Sequence, residues 1–178
     1  TVDSSGFTRA TRVLTSSLAV NGLLSRSNDT IGNGATLGGT GTVGGIVAQS
    51  GAIVAPGNSV GTLNVTGNVL FQTGSLFAAE VQPSGSDRIV ATGTAQLGGT
   101  LTLLNLGGTY AFNSVYVLLH ADAGVTGTFN VTGLNSFGVI FRPKIVYTAS
   151  EVQLVLAPNR LAVVLGNLPL SYNQASTI

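Results

Sequence analysis

Residues Gly32 to Gly67 read GNGATLGGTGTVGGIVAQSGAIVAPGNSVGTLNVTG, a repeating alternation of Gly-led turns with runs of Val, Ile, Leu, Thr and Ala. Gly34-Ala35-Thr36-Leu37 recurs as Gly51-Ala52-Ile53-Val54, seventeen positions on (51 − 34). Gly67-Asn68-Val69-Leu70 follows sixteen positions later (67 − 51). Short β-branched runs bounded by Gly are strands joined by tight turns, because Gly supplies the positive φ that such turns need. A recurrence near 20 residues marks a solenoid in which each repeat is one coil. The expected fold is all-β, a right-handed parallel β-helix.

Composition narrows the alternatives. Gly accounts for 25 of 178 residues, too many for a helical chain, and without the three-residue period of collagen. Only 7% of residues are charged and the net charge is +1, with no run of cations to follow a phosphate backbone, so nucleic-acid partners are not expected. Cys is absent, which excludes disulfides and thiolate metal sites. Met is absent too, so a cut or processed piece of a longer protein is expected. No run of eighteen apolar residues occurs that would span a bilayer as a helix.

Along the chain, residues 1–104 are expected to form coils, with 1–16 a frayed partial coil. The expected inward side chains are Leu37, Val43, Ile46, Ile53, Leu63, Val65, Val69, Phe71, Ile89, Leu97, Leu101 and Leu103, assigned by alternation along each strand. Asn28-Asp29 reads as a turn. After Asn105 the pattern changes: seven of the eleven aromatic residues lie between Tyr110 and Tyr147, and Gly thins out. Leu134-Asn135-Ser136 and Arg142-Pro143-Lys144 read as hairpin turns between longer strands, including Val139–Phe141. A solenoid end leaves N–H and C=O groups unpaired and needs a cover. Residues 105–158 are therefore expected to be a C-terminal, aromatic-rich β-hairpin cap, and 159–178 a linker.

At Gly34 to Asn64 the residues ATLGGTGTVGG and GAIVAPGNSVGTLN carry a resemblance. Together with SDRIVATGTAQLGGTL (86–101), YVLL (116–119), GVTGTF (124–129) and VQLVL (152–156), they resemble the C-terminal passenger region of type V autotransporters of Gram-negative bacteria. Asn173-Gln174-Ala175 is similar to the start of the helix that threads the barrel in that family. The resemblance implies that these residues lie just before the family's outer-membrane barrel. The resemblance implies a non-enzymatic β-helical stem with an autochaperone module, exported to the cell surface or secreted. It implies two partners, the chain's own C-terminal outer-membrane β-barrel and the preceding passenger coils. Within it, Pro56, Gly57 and Asn58 turn a coil corner, Asp87 and Arg88 form a recurrent dipeptide, and Tyr116, Phe129 and Tyr147 belong to the folding section. The alternative is an adhesive surface that associates with itself or with a host.

Several motifs point elsewhere and are weighed on their chemistry. Gly39-Thr40-Gly41-Thr42-Val43-Gly44 fits GxGxxG, but the dinucleotide site needs a helix next, and Gly45–Ala48 reads as strand. Gly57-Asn58-Ser59-Val60-Gly61 fits GxSxG, but a nucleophilic Ser needs strand, sharp turn and helix around it, plus a base. The single His, His120, with Asp122 two residues on, is expected at a strand end. Gly38–Gly41 lacks the Asp of a calcium-binding nonapeptide, and one His without Cys leaves no zinc set. A polysaccharide lyase or hydrolase would need clustered charges that this chain lacks. No cofactor, metal or catalytic residue is expected.

Overall fold

The structure, a computed structural model, describes residues 10–159. Most of the expected frayed coil before Ala10, and the expected linker with Asn173-Gln174-Ala175, lie outside the described residues. Eighteen strands and one 3-10 turn at Leu134–Phe137 make up the described chain. In order they are β1 (Thr11–Val13), β2 (Ser17–Ala19), β3 (Leu23–Ile31), β4 (Thr36–Gly39), β5 (Thr42–Ala48), β6 (Ile53–Pro56), β7 (Thr62–Val65), β8 (Val69–Phe71) and β9 (Leu76–Gln82). They continue with β10 (Gly85–Ser86), β11 (Arg88–Ala91), β12 (Ala95–Leu97), β13 (Thr100–Asn105), β14 (Ser114–Ala121), β15 (Val125–Gly127), β16 (Asn130–Thr132), β17 (Phe141–Tyr147) and β18 (Glu151–Pro158). The protein is all-β.

The strands divide between an eleven-stranded and a seven-stranded sheet, and the chain passes back and forth between them. From β2 to β16 the smaller sheet runs β2-β4-β6-β9-β13-β16, every neighbour parallel. Parallel neighbours cannot be joined by a hairpin, so each return needs a long connection. Here that connection is strand in the other sheet. Thr36 pairs with Ile53, Ile53 with Leu76, Leu76 with Thr100 and Thr100 with Asn130. The intervals thus lengthen from 17 (53 − 36) through 23 (76 − 53) and 24 (100 − 76) to 30 (130 − 100). The GATL–GAIV recurrence is therefore a true strand pair. Gly67-Asn68 is not its successor, because Val69 pairs with Ile46 of β5 in the larger sheet. Gly74-Ser75-Leu76-Phe77 takes that place, and Gly51 N–H, after receiving at its own C=O from Gly34, donates to Gly74 C=O at 2.8 Å. Gly51 has φ +77, a conformation in which an L side chain is strained.

Register stacks like on like. Leu18, Leu37, Val54, Phe77, Leu101 and Val131 form one inward row across the smaller sheet. Val43, Val65, Ala91 and Ala121 form another across the larger. Each fully buried aliphatic side chain in such a row contributes about 1.5–3 kcal/mol. Eleven of the twelve expected inward residues are buried; Ile53 is the exception and lies half-exposed on the outer face. Its neighbours Ala52 and Val54 take the interior instead. With Ile53 and Val54 both apolar, the sequence offers no polar partner to choose the face, and the register with Leu37 and Phe77 decides it.

Toward the C-terminal end the pairing turns antiparallel. β18 lies antiparallel to β14 on one side and to β17 on the other, and this triplet ends the larger sheet. Residues 125–132 between them still pair in parallel, β15 on β12 and β16 on β13. Arg142-Pro143-Lys144, expected as a turn, lies inside β17, where Pro143 pairs with Leu156. An edge strand tolerates Pro because one side has no ladder to complete, and Lys and Pro there discourage further pairing. Leu134-Asn135-Ser136 is a 3-10 turn, and Val139 and Ile140 precede β17 rather than forming a strand. Asn28-Asp29, also expected as a turn, lies within β3.

Candidate functional site

The eight residues singled out from the sequence fall at one polar corner and in two aromatic groups, with Arg88 near the second of these. Pro56, Gly57, Asn58 and Asp87 meet at one corner. Pro56 ends β6, and Gly57 (φ +90) exchanges both backbone hydrogen bonds with Gly39, at 2.9 and 3.0 Å. Asn58 Nδ2 donates to Asn21 Oδ1 at 3.0 Å, tying this corner to the preceding one. Asp87 is 1% exposed. Its Oδ1 accepts from Gly61 N–H and its Oδ2 from Glu80 N–H, each at 2.9 Å, while its own N–H donates to Glu80 C=O at 2.8 Å. One carboxylate thus fastens the β9–β11 connection to the loop after β6.

Burial is the main cause that pushes the Asp87 carboxyl up to about 6. The two N–H donors oppose that rise, and the charge of Glu80 adds to it. Asp29, 0% exposed, is raised by the same cause and opposed by the hydroxyls of Ser27 and Thr11. Ser27 Oγ donates to Asp29 Oδ1 at 2.6 Å, and Oδ2 has no partner among the described residues. Asp29 shares the inward row with Ile46, Val69, Ala95 and Val125. A raised folded-state value means that the native state holds its proton more tightly than the unfolded chain. The resulting stability is fully present below the unfolded value of 3.8 and is lost as pH rises through about 6. The guanidinium unfolding midpoint is therefore expected to fall between about pH 4 and pH 7, with a shallower fall in Asp87→Asn. A flat profile in the native protein would contradict this.

Two aromatic groups hold the rest, one around Phe129 and one around Tyr116. Phe129 packs on Phe71 (ring centroids 5.1 Å, edge-on) and on Phe77 (6.0 Å). Its N–H donates to Tyr147 Oη at 3.0 Å, joining β17 to the end of the stacked rows. Burial raises the Tyr147 phenol above its ordinary value, opposed by that hydrogen bond. Tyr116 of β14 packs against Tyr110 (6.2 Å, edge-on) and its hydroxyl donates to Pro83 C=O at 3.3 Å. Arg88, at the start of β11, lies near this group rather than with Asp87, because adjacent residues on a strand face opposite ways.

His120 lies one residue from the end of β14, as expected, but the hub role of Tyr110 and the second carboxylate beside His120 escaped the sequence reading. Tyr110 is the hub of the second aromatic group, touching Tyr116, Phe137 and Phe141, and its hydroxyl bonds Val81 C=O (2.8 Å) and Asn105 Oδ1 (2.7 Å). Its place as the first of the aromatic residues after Asn105 was its one visible signal. His120, near the end of β14, stands between two carboxylates, Asp122 at 2.9 Å and Glu151 at 3.3 Å. Among the described residues no group of three His, Asp or Glu could hold a metal ion. Gly39–Gly44 leads into β5, and Ser59 is followed by β7, so neither nucleotide nor hydrolase motif has its helix. No helix of the described residues is long and apolar enough to cross a membrane. No protein-family model matches the chain, and no curated protein does.

Proposed function

We propose that this chain is a right-handed parallel β-helical stem closed by an antiparallel aromatic cap, serving as a non-enzymatic structural and folding module. One observation carries the reading. Parallel pairing repeats through both sheets, and the last strands, β14, β18 and β17, switch to antiparallel around an aromatic cluster. Stacked coils gain stability from nearest-neighbour contacts, so ordering one end lowers the entropic cost of ordering the next coil. A cap that folds first would act as that end. Taken with the resemblance to autotransporter passengers, the module would promote passenger folding and export across the outer membrane. Its partners would be the family's C-terminal barrel and the coils that precede it, and its place the bacterial surface or exterior.

Guanidinium unfolding followed by limited proteolysis and mass spectrometry tests this. Two transitions, with a protected fragment beginning near residue 100, are expected. A single transition that frays first from the C-terminal end would reduce the chain to a passive stem. A second reading, self-association or adhesion, draws on the exposed apolar tip formed by Phe112, Val139 (82% exposed) and Ile140. Sedimentation velocity decides it: concentration-dependent dimers favour it, and a strict monomer removes it.

A further inference from the structure

We infer that the cleft beside Arg88 binds the carboxylate of an acidic sugar, a uronate-type glycan unit. This stands apart from the stem reading and would hold without it. The cleft is an open groove of about 610 Å³, a volume within the roughly 300–1,000 Å³ of small-molecule sites. Its origin lies in unequal strand lengths. β14 pairs with β11 only through Leu119–Ala121, so Ser114–Val117 run on past Arg88 and face the Pro83–Ser86 turn across a gap.

Arg88 lines this gap half-buried, with an unusual deficit. Among the described residues its guanidinium has no carboxylate and no hydrogen-bond acceptor, and Nε is buried without a partner. The adjacent carboxylate, Asp87, is committed to Gly61 and Glu80. A buried donor without an acceptor carries a desolvation cost, which is removed if the guanidinium turns Nε toward an arriving acceptor. The planar guanidinium matches a carboxylate in a two-bond fork, which no neutral ligand reproduces.

The rest of the lining points to a hydroxylated ligand. Ser84, Ser86 and Thr62 line the same cleft with hydroxyl-bearing side chains, Ser114 also lines it with its hydroxyl donating to Ala111 C=O, and Pro83 and exposed Val115 add a small apolar flank that suits the C–H face of a sugar ring. A single cation is too little for a polyphosphate or a nucleic-acid backbone.

The probe is trigalacturonate, titrated calorimetrically into the full chain, with maltotriose and inorganic phosphate as comparisons. Saturable binding of trigalacturonate is expected, at least tenfold tighter than either comparison. Arg88→Gln should weaken it at least tenfold, whereas Arg142→Gln, at an exposed cation of β17, should leave it unchanged. Ser84→Trp, at an exposed turn, should block the cleft without altering the melting temperature, and it carries the test should Arg88→Gln fail to fold. Equal binding of maltotriose or phosphate, undiminished binding in Ser84→Trp, or no saturation by about 10 mM overturns the assignment.

Discussion

Phe129→Ala is expected to lower unfolding stability by about 3–5 kcal/mol, the range for truncating a buried Phe. Against a typical domain stability of about 5–15 kcal/mol, that is a large fraction of the whole. Phe129 is 6% exposed and closes a three-ring cluster with Phe71 and Phe77, themselves stacked at 5.7 Å. The cluster is where rows from both sheets meet the cap, because Phe71 belongs to β8 and Phe77 to β9. Tyr147→Phe removes only the oxygen that accepts the Phe129 N–H, and should cost about 1 kcal/mol. Phe112→Ala serves as the contrast. Phe112 is half-exposed and touches Phe141 alone among the rings, so its loss should also cost about 1 kcal/mol. Guanidinium midpoints of the three variants measure the ranking. Equal costs for Phe129→Ala and Phe112→Ala would mean that the cap is not anchored through Phe129.

Gly57→Ala should be as damaging, for a different reason. At φ +90, a Cβ on Gly57 would lie 1.8 Å from the Ser59 carbonyl oxygen, with Asp87 Oδ1 and Gly61 N both at 2.9 Å. The backbone must move, and it cannot do so without breaking the paired bonds to Gly39 or the Asp87 carboxylate bonds. Backbone strain of this kind costs about 1–3 kcal/mol, and the lost hydrogen bonds add about 1 kcal/mol each. Gly34→Ala isolates the conformational part. Gly34 also has positive φ, +76, but nothing lies within 4 Å of its added Cβ, so about 1–2 kcal/mol is expected. Thermal melts of both variants settle the comparison. A Gly57→Ala protein as stable as Gly34→Ala would show that the corner yields freely.

Much of the fold could be read from local pattern, and the failures share a cause. The GATL–GAIV match identified a real strand pair because it lay within one uninterrupted return of the chain. The next match failed because two strands, β7 and β8, enter the following return and lengthen the interval to 23. A fixed period cannot follow a return whose length grows. Pro143 was read as a turn, although an edge strand accepts it, and being on the edge is a property of the whole sheet.

The candidate site divides in the same way. Gly57 and Asp87 could be picked from turn chemistry, but their meeting depends on strands thirty residues apart in sequence (87 − 57) folding against one corner. The ends of the Phe129–Tyr147 hydrogen bond, likewise, are set by where the antiparallel triplet lands on the stacked rows. Asp29 looked like a turn residue because it follows Asn28; its donor Ser27 is itself bonded to Thr11, and Thr11 comes within reach only when β1 pairs with β3.

By itself, the sequence determined the strand content, the inward face wherever polar and apolar residues alternate, and the aromatic enrichment near the C-terminal end. Those are local properties, set by side-chain volume, β-branching and the backbone freedom of Gly. Tertiary structure alone decided which strand pairs with which, the face of Ile53, the burial of Asp29 and Asp87, and the unpartnered guanidinium of Arg88. Each of these depends on register between distant segments, and register follows from the packing of whole rows rather than from any single residue.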